Sequence, residues 1–83
     1  MSGNLPGIAL LPGTIVRFRY TNHKLETEWR RALVHHVWWG ATQYHRGCQW
    51  FLHAECQDRH EPRNFAMRDM TEVSIIDIPA EAA

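Results

Sequence analysis

The segment from Cys48 to Gln57 is the feature that most constrains the fold, because apolar and polar residues alternate along it, with Phe51 as the one apolar residue at a polar position. This period of two is typical of a half-buried β-strand. The spacing predicts an inward face made of Cys48, Trp50, Leu52, Ala54 and Cys56. It predicts an outward face made of Gln49, Phe51, His53, Glu55 and Gln57. A strand with one apolar face must pack against further strands, so the segment predicts a β-sheet protein.

Four other segments have strand character. Residues 14–20 alternate, with Val16, Phe18 and Tyr20 on the predicted inner face. Residues 26–39 alternate poorly and are apolar on both faces in their second half, which predicts a bend that changes the buried side, with Gly40 ending the strand. A helix over 25–34 is the alternative, although no helix cap separates it from the β-rich residues that follow. Residues 63–67 and 73–78 complete the set.

The connections between these segments also follow from residue type. Residues 21–24 and 58–62 are predicted turns, residues 41–47 a loop, and residues 68–70 a short helical turn. The prediction is an all-β fold, a small SH3-like or Sm-like barrel of about five strands whose closure hides the strand edges. Residues 1–13 are predicted to form a flexible arm, residues 14–79 the barrel domain, and residues 80–83 a tail.

Composition restricts the classes of function. The net charge is zero, which argues against a generic polyphosphate binder but permits a basic face balanced by acids elsewhere. Lys24 is the only lysine, and the dominance of arginine favours recognition of phosphate or carboxylate through paired hydrogen bonds. Ion pairs on solvated faces are the alternative. No apolar run reaches a membrane span and the N-terminus lacks a signal-peptide pattern, so a cytoplasmic location is expected.

The cysteines and histidines do not predict a metal site or a catalytic site. Cys48 and Cys56 lie too far apart on one strand for a disulfide. His53 and Cys56 point to opposite faces of that strand, so they cannot chelate one zinc ion. No nucleophile elbow and no glycine-rich phosphate loop occur. We therefore expect no metal, no cofactor and no enzymatic activity.

The chain resembles the WYL domain family, which is named for a Trp-Tyr-Leu triplet. The residues that carry the resemblance are Tyr20-Thr21-Asn22, Arg30-Arg31, Trp50-Phe51-Leu52, Arg63-x-Phe65 and Arg68-Asp69-Met70. WYL domains resemble SH3-type or Sm-like barrels in bacterial and phage transcriptional regulators, where they are thought to sense nucleotides and single-stranded nucleic acid. Phe51 departs from the family's Tyr, and Val34 stands where a Pro is common. Because no helix-turn-helix precedes the domain, we expect an accessory domain, a free-standing sensor or a fragment.

The resemblance implies a ligand-binding regulatory or accessory domain that binds a nucleotide or a short single-stranded nucleic acid. The expected ligand-binding residues are Tyr20, Arg31, Phe51, His53, Arg63 and Arg68. Arginines would hold phosphate, and the exposed Phe51 ring would stack on a base. The alternative is a homodimer or other protein-interaction module without nucleic-acid binding, in which Val37, Trp38 and Trp39 form an apolar edge patch.

Overall fold

The computed structural model describes residues 10–79, apart from the side chain of Arg46. It contains a five-stranded antiparallel sheet and one 3-10 turn at Met67–Asp69. The all-β prediction and the short turn near residue 68 are therefore confirmed. The strands are β1 (Ile15–Thr21), β2 (Thr27–Thr42), β3 (His45–Cys56), β4 (Glu61–Ala66) and β5 (Met70–Asp77). Within the described residues no helix is long and apolar enough to cross a membrane.

The core forms on one face of the curved sheet. Val16, Phe18 and Tyr20 of β1 point into it, as their alternation predicts. The ring of Phe18 meets that of Phe65 edge-on at 5.1 Å between centroids, a preferred arrangement of aromatic pairs. The other buried members of this cluster are Ala32, Val34, Leu52, Ala54, Phe65 and Met70.

The long strand β2 bends as predicted. A bulge lies between Val34 and His36, and an extra residue in one strand changes which side faces the core. Before the bulge Ala32 and Val34 are buried, whereas after it Val37 packs against the core opposite Leu52. The alternative of a helix over 25–34 is wrong.

The bend is large. Fully extended, the 16 residues of β2 would span roughly 50 Å. The longest dimension of the molecule is 36 Å, so β2 curls around the core and gives the sheet its barrel-like curvature.

Two predictions about the middle of the chain are wrong. Gly40 does not end β2, which continues to Thr42, and β3 already begins at His45. The predicted loop over 41–47 is thus a tight hairpin turn with its flanking strands. Gly40 has a packing role instead, because a Cβ atom there would collide with the ring of Trp38.

The predicted inward face of β3 is correct only in the second half of the strand. Leu52, Ala54 and Cys56 are buried, but Trp50 is 53% exposed and Cys48 is exposed as well. Conversely, Phe51 is completely buried, so its predicted exposure is wrong. The reason is that the β2–β3 hairpin extends beyond the core. There Trp38 and Phe51 lie on the face of the hairpin that points away from the core, and their rings stack with centroids 4.8 Å apart.

We expected closure of the barrel to hide the strand edges, but strand pairing leaves two edges of the sheet open. The order is β4-β3-β2-β1-β5, so β4 and β5 lie at the two edges. Side chains close the gap between β1 and β4, since the Tyr20 hydroxyl accepts a hydrogen bond from the Ala66 backbone N–H at 3.0 Å.

The predicted N-terminal arm is docked where the structure describes it. Leu10 packs against the core, and Gly13 N–H donates to the Val34 carbonyl at 2.8 Å. Residues 1–9 and the predicted tail at 80–83 lie outside the described residues.

Candidate functional site

An open groove lies between the β1–β2 turn, the β2–β3 turn and β4, and we call it the Arg63 groove. Its volume is about 340 Å³, within the range of sites that hold a small molecule. A neighbouring depression of about 470 Å³ continues it past the β2–β3 turn. The groove is lined by Tyr20, Asn22, His23, Lys24, Tyr44, His45, Arg63 and Asn64. Both hollows share Tyr44, His45, Arg63 and Asn64.

The β1–β2 turn is built around Asn22. Its side-chain Oδ1 accepts hydrogen bonds from the backbone N–H groups of Lys24 at 2.9 Å and Glu26 at 3.0 Å. This is the local bonding for which asparagine is favoured in turns. Leu25 completes the turn with a φ of 64°, and its N–H donates to the Asn22 carbonyl at 2.9 Å. The result is a fixed loop that presents His23 and Lys24 at the groove.

The β2–β3 turn supplies an exposed aromatic ring. The Thr42 hydroxyl accepts a hydrogen bond from the Tyr44 backbone N–H at 3.1 Å, and lies 2.9 Å from His45 Nδ1. Tyr44 is 63% exposed. Its ring stacks on His23 with centroids 5.3 Å apart and planes 23° apart. The curl of β2 brings these two turns together, because they lie at opposite ends of that strand.

Positive charge lines the groove without matching acids. Lys24 and Arg63 both line it, and within residues 10–79 neither has a carboxylate at salt-bridge distance. The Arg63 guanidinium lies 5.9 Å from the centroid of the Phe65 ring, which is within the range of a cation–π contact. The charged end of Arg63 therefore lies beside a core ring at the border of the groove.

Tyr20 borders the groove but has a structural role. It is 7% exposed, and its ring packs edge-on against Phe18 and Phe65. Burial raises the pKa of the Tyr20 hydroxyl above its usual value of 10.0, and the Ala66 hydrogen bond offsets part of that rise. The hydroxyl is thus committed to the backbone of β4, and only the edge of the side chain meets the groove.

Phe51 and His53 lie beneath the groove. The ring of His45, which lines the groove, meets Phe51 edge-on at 5.2 Å. Asn64 Oδ1, also at the groove, accepts a hydrogen bond from Trp38 Nε1 at 3.0 Å and lies 2.9 Å from His53 Nδ1. Because Asn64 Oδ1 only accepts, this contact assigns the His53 proton to Nδ1. Phe51 and His53 therefore position groove residues and do not line the groove themselves.

Arg31 and Arg68 lie elsewhere. Arg31 is exposed on β2 and faces Arg17 of β1 across the ladder. Arg68 is exposed in the 3-10 turn. Neither lines the Arg63 groove. The predicted binding residues therefore do not form one surface, because Arg63 shares a face of β4 with the core residue Phe65, whereas Arg31 alternates with the core residue Ala32 and lies on the other face of the sheet.

Sequence reasoning missed most of the groove, namely His23, Lys24, Tyr44, His45, Asn64 and Asn22. His23 and Lys24 belong to a stretch correctly predicted as a turn. The only lysine of the chain, close to an asparagine in a turn, could have indicated a binding residue there. Tyr44 fell in a predicted loop. Its pairing with His23 depends on the curvature of β2, which no local pattern specifies.

Comparison with models of known protein families finds none that matches this chain. A search of the curated proteins finds no protein of significantly similar sequence. The resemblance to WYL domains therefore stays a prediction. Across residues 10–79, no group of three or more His, Cys, Asp or Glu side chains is placed to hold a metal ion.

Proposed function

We propose that this protein binds a nucleotide unit, free or within a short single-stranded nucleic acid, in the Arg63 groove. The observation that carries the proposal is the stacked pair of Tyr44 and His23 beside Lys24 and Arg63, which have no carboxylate at salt-bridge distance within residues 10–79. Exposed aromatic rings next to positive charge are the usual means by which proteins bind single strands, because every base offers a face for stacking.

The charged residues suit the phosphate. Arg63 presents a planar guanidinium that makes paired hydrogen bonds to phosphate oxygens, and Lys24 adds a mobile point charge. Asn64 and His45 supply polar atoms that can read the edge of a base. The chain as a whole is neutral, so this binding depends on a local cluster and not on overall attraction to polyanions.

A binding role suits the groove better than catalysis. Phe51, the ring expected to stack on a ligand, instead supports His45 from below, and the stacking position passes to Tyr44. Cys56 is buried at 1% exposure, and buried apolar surroundings leave a thiol unreactive. The groove contains cations, amides and aromatic rings, which hold an anion and a base.

Fluorescence anisotropy with a labelled oligonucleotide tests the proposal at several salt concentrations. We expect saturable binding that weakens as salt rises. Tyr44→Ala should lower the affinity by about 1–3 kcal/mol, the contribution of one stacked base, whereas Tyr44→Phe keeps the ring and most of the affinity. Arg63→Ala should weaken binding to all sequences alike and reduce the salt slope by about 0.7, as expected for one phosphate contact on a single strand.

Arg59→Ala is the matched control for the charge. Arg59 is exposed in the β3–β4 turn and does not line the groove, yet its removal changes the net charge by the same amount. Equal losses in Arg59→Ala and Arg63→Ala would show that only overall charge matters, and would contradict the proposal. Absence of saturable binding in the unmodified protein would contradict it too.

A homo-oligomeric interaction module is the second candidate. Trp39 and Trp50 form an edge-on pair at 5.3 Å and are 57% and 53% exposed, and adjacent exposed aromatic rings are typical of protein interfaces. The exposed patch differs from the predicted one, because Trp38 stacks on Phe51 and Trp50 instead lies beside Trp39. A dimer by light scattering that Trp39→Ser converts to a monomer, together with no oligonucleotide binding, would favour this function.

A further inference from the structure

The outward face of β1 and β2 gathers a second set of arginines, which we call the outer arginine face. It consists of Arg17, Arg19, Trp29 and Arg31. The guanidinium of Arg17 lies 3.8 Å from the centroid of the Trp29 ring, and that of Arg19 lies 5.9 Å from it. Trp29 is 43% exposed. A half-exposed indole thus holds one guanidinium within cation–π distance and has a second one nearby.

Among residues 10–79, two of the three arginines on this face have no acidic partner. Arg17 and Arg31 are direct partners across the antiparallel ladder, where like charges repel each other. Only Arg19 has an acid, Glu72, with Nη1 and Oε2 3.1 Å apart. Within residues 10–79 neither Arg17 nor Arg31 has a carboxylate at salt-bridge distance. Two arginines at paired ladder positions without an acid can bind an anion, and a planar guanidinium favours phosphate.

The outer arginine face lies near the Arg63 groove. Arg19 and Trp29 are ladder partners close to the β1–β2 turn, which carries His23 and Lys24 into the groove. Asn22, the first turn residue, follows Arg19 by three positions, about 10 Å along an extended chain. Lys24 therefore lies in the turn that joins the two strands of the outer arginine face, and it also lines the Arg63 groove.

We infer that the outer arginine face binds the phosphate backbone of a single-stranded oligonucleotide whose terminal or looped nucleotide occupies the Arg63 groove. The ligand is then an oligonucleotide chain and not a mononucleotide. This inference rests on the proposed function for the groove. It adds a separate contact, through Arg17 and Arg31, that only a chain of several nucleotides reaches.

The test compares two probes on the whole protein. Thymidine monophosphate reports the groove alone, followed through the amide NMR shifts of the two turns. A deoxythymidine oligonucleotide of about eight nucleotides, a length within the range that small barrels cover, reports both surfaces. The variants are Arg17→Ala and Arg31→Ala, with Arg59→Ala as the control of equal charge change.

We expect the oligonucleotide to bind more tightly than the mononucleotide. Arg17→Ala and Arg31→Ala should each weaken oligonucleotide binding by about fivefold or more and reduce the salt slope by about 0.7, the value for one phosphate contact on a single strand. Neither variant should change the binding of thymidine monophosphate. Arg59→Ala should change neither probe's affinity beyond a small effect of net charge.

The outcomes separate the two proposals. If thymidine monophosphate fails to bind the unmodified protein, the proposed function of the groove is wrong. If it binds, but Arg17→Ala and Arg31→Ala act on the oligonucleotide no more than Arg59→Ala does, the outer arginine face is not a binding surface. Displacement of the oligonucleotide by polyglutamate at equal charge concentration would show a site for acidic chains in general, and would overturn the assignment to nucleic acid.

Discussion

Replacing Tyr20 by Phe separates a structural role from a ligand-binding role at one hydroxyl. In the structure this hydroxyl accepts a hydrogen bond from the Ala66 N–H at 3.0 Å. Ala66 is completely buried and Tyr20 is 7% exposed. The bond joins β1 to the end of β4, which the strand ladders leave unpaired with each other.

The cost follows from the group that loses its partner. Tyr20→Phe keeps the ring and its edge-on contacts with Phe18 and Phe65, but leaves a buried backbone donor unsatisfied. Such a donor costs about 1–3 kcal/mol, more than the hydrogen bond itself contributes. In a domain of this size each kcal/mol lowers the Tm by about 4–8 °C. The variant should therefore fold, with clearly reduced stability.

Urea and thermal denaturation measure this loss, and pH adds a second signature. Because the folded-state pKa of Tyr20 is raised above 10.0, the unfolded chain ionises first as the pH increases. Stability from this group is then fully present below pH 10 and declines as the pH rises through the folded-state pKa. Tyr20→Phe lacks that decline, so its deficit relative to the unmodified protein should shrink in alkali.

Tyr44→Phe is the control, because Tyr44 is 63% exposed and an exposed change of this kind usually alters stability by less than about 0.5 kcal/mol. The same small effect in Tyr20→Phe would refute the role of the Tyr20 hydroxyl in joining β1 to β4. A loss of oligonucleotide affinity in Tyr20→Phe at temperatures where it remains folded would instead support the direct ligand contact that the WYL resemblance implies.

Three further changes test the support of the groove. Phe51→Ala should lower the free energy of unfolding by about 3–5 kcal/mol in urea, as for other buried phenylalanines; an exposed ring would lose far less. Gly40→Ala should cost about 1–3 kcal/mol by the same assay because the new methyl group displaces the Trp38 ring, and a neutral effect would mean that this ring moves freely. Asn22→Ala removes two turn hydrogen bonds, so it should cost about 1–2 kcal/mol and weaken nucleotide binding in anisotropy titrations, whereas unchanged affinity would exclude the turn from the site.

The parts of the fold that sequence predicts well are those governed by local alternation. Val16, Phe18 and Tyr20 face the core because β1 is short and lies wholly over it. The bend of β2 was also predictable, since a strand with apolar residues on both faces must change which face it turns toward the core. The switch from Val34 to Val37 across the bulge bears this out.

Alternation fails where a strand leaves the core. Trp50 and Phe51 occupy adjacent positions of β3 and obey the period of two, yet their burial is the reverse of the prediction. Periodicity shows which residues share a face of a strand, but it does not show which of the two faces is covered by other side chains. Here the ring of Trp38 covers Phe51, while Trp50 packs edge-on against Trp39 at the exposed end of the hairpin.

The candidate site depends on the same long-range geometry. Its stacked rings come from turns at the two ends of β2, a strand that would hold them roughly 50 Å apart if straight. A bulge near His35 and a second irregularity between Gly40 and Thr42 allow the strand to curl. The Tyr44–His23 contact thus arises from the strand's departures from regularity, and the groove is a consequence of how the barrel-like curvature is achieved. Changes that straighten β2 should therefore separate the stacking platform from Arg63 even when every residue of the groove is intact.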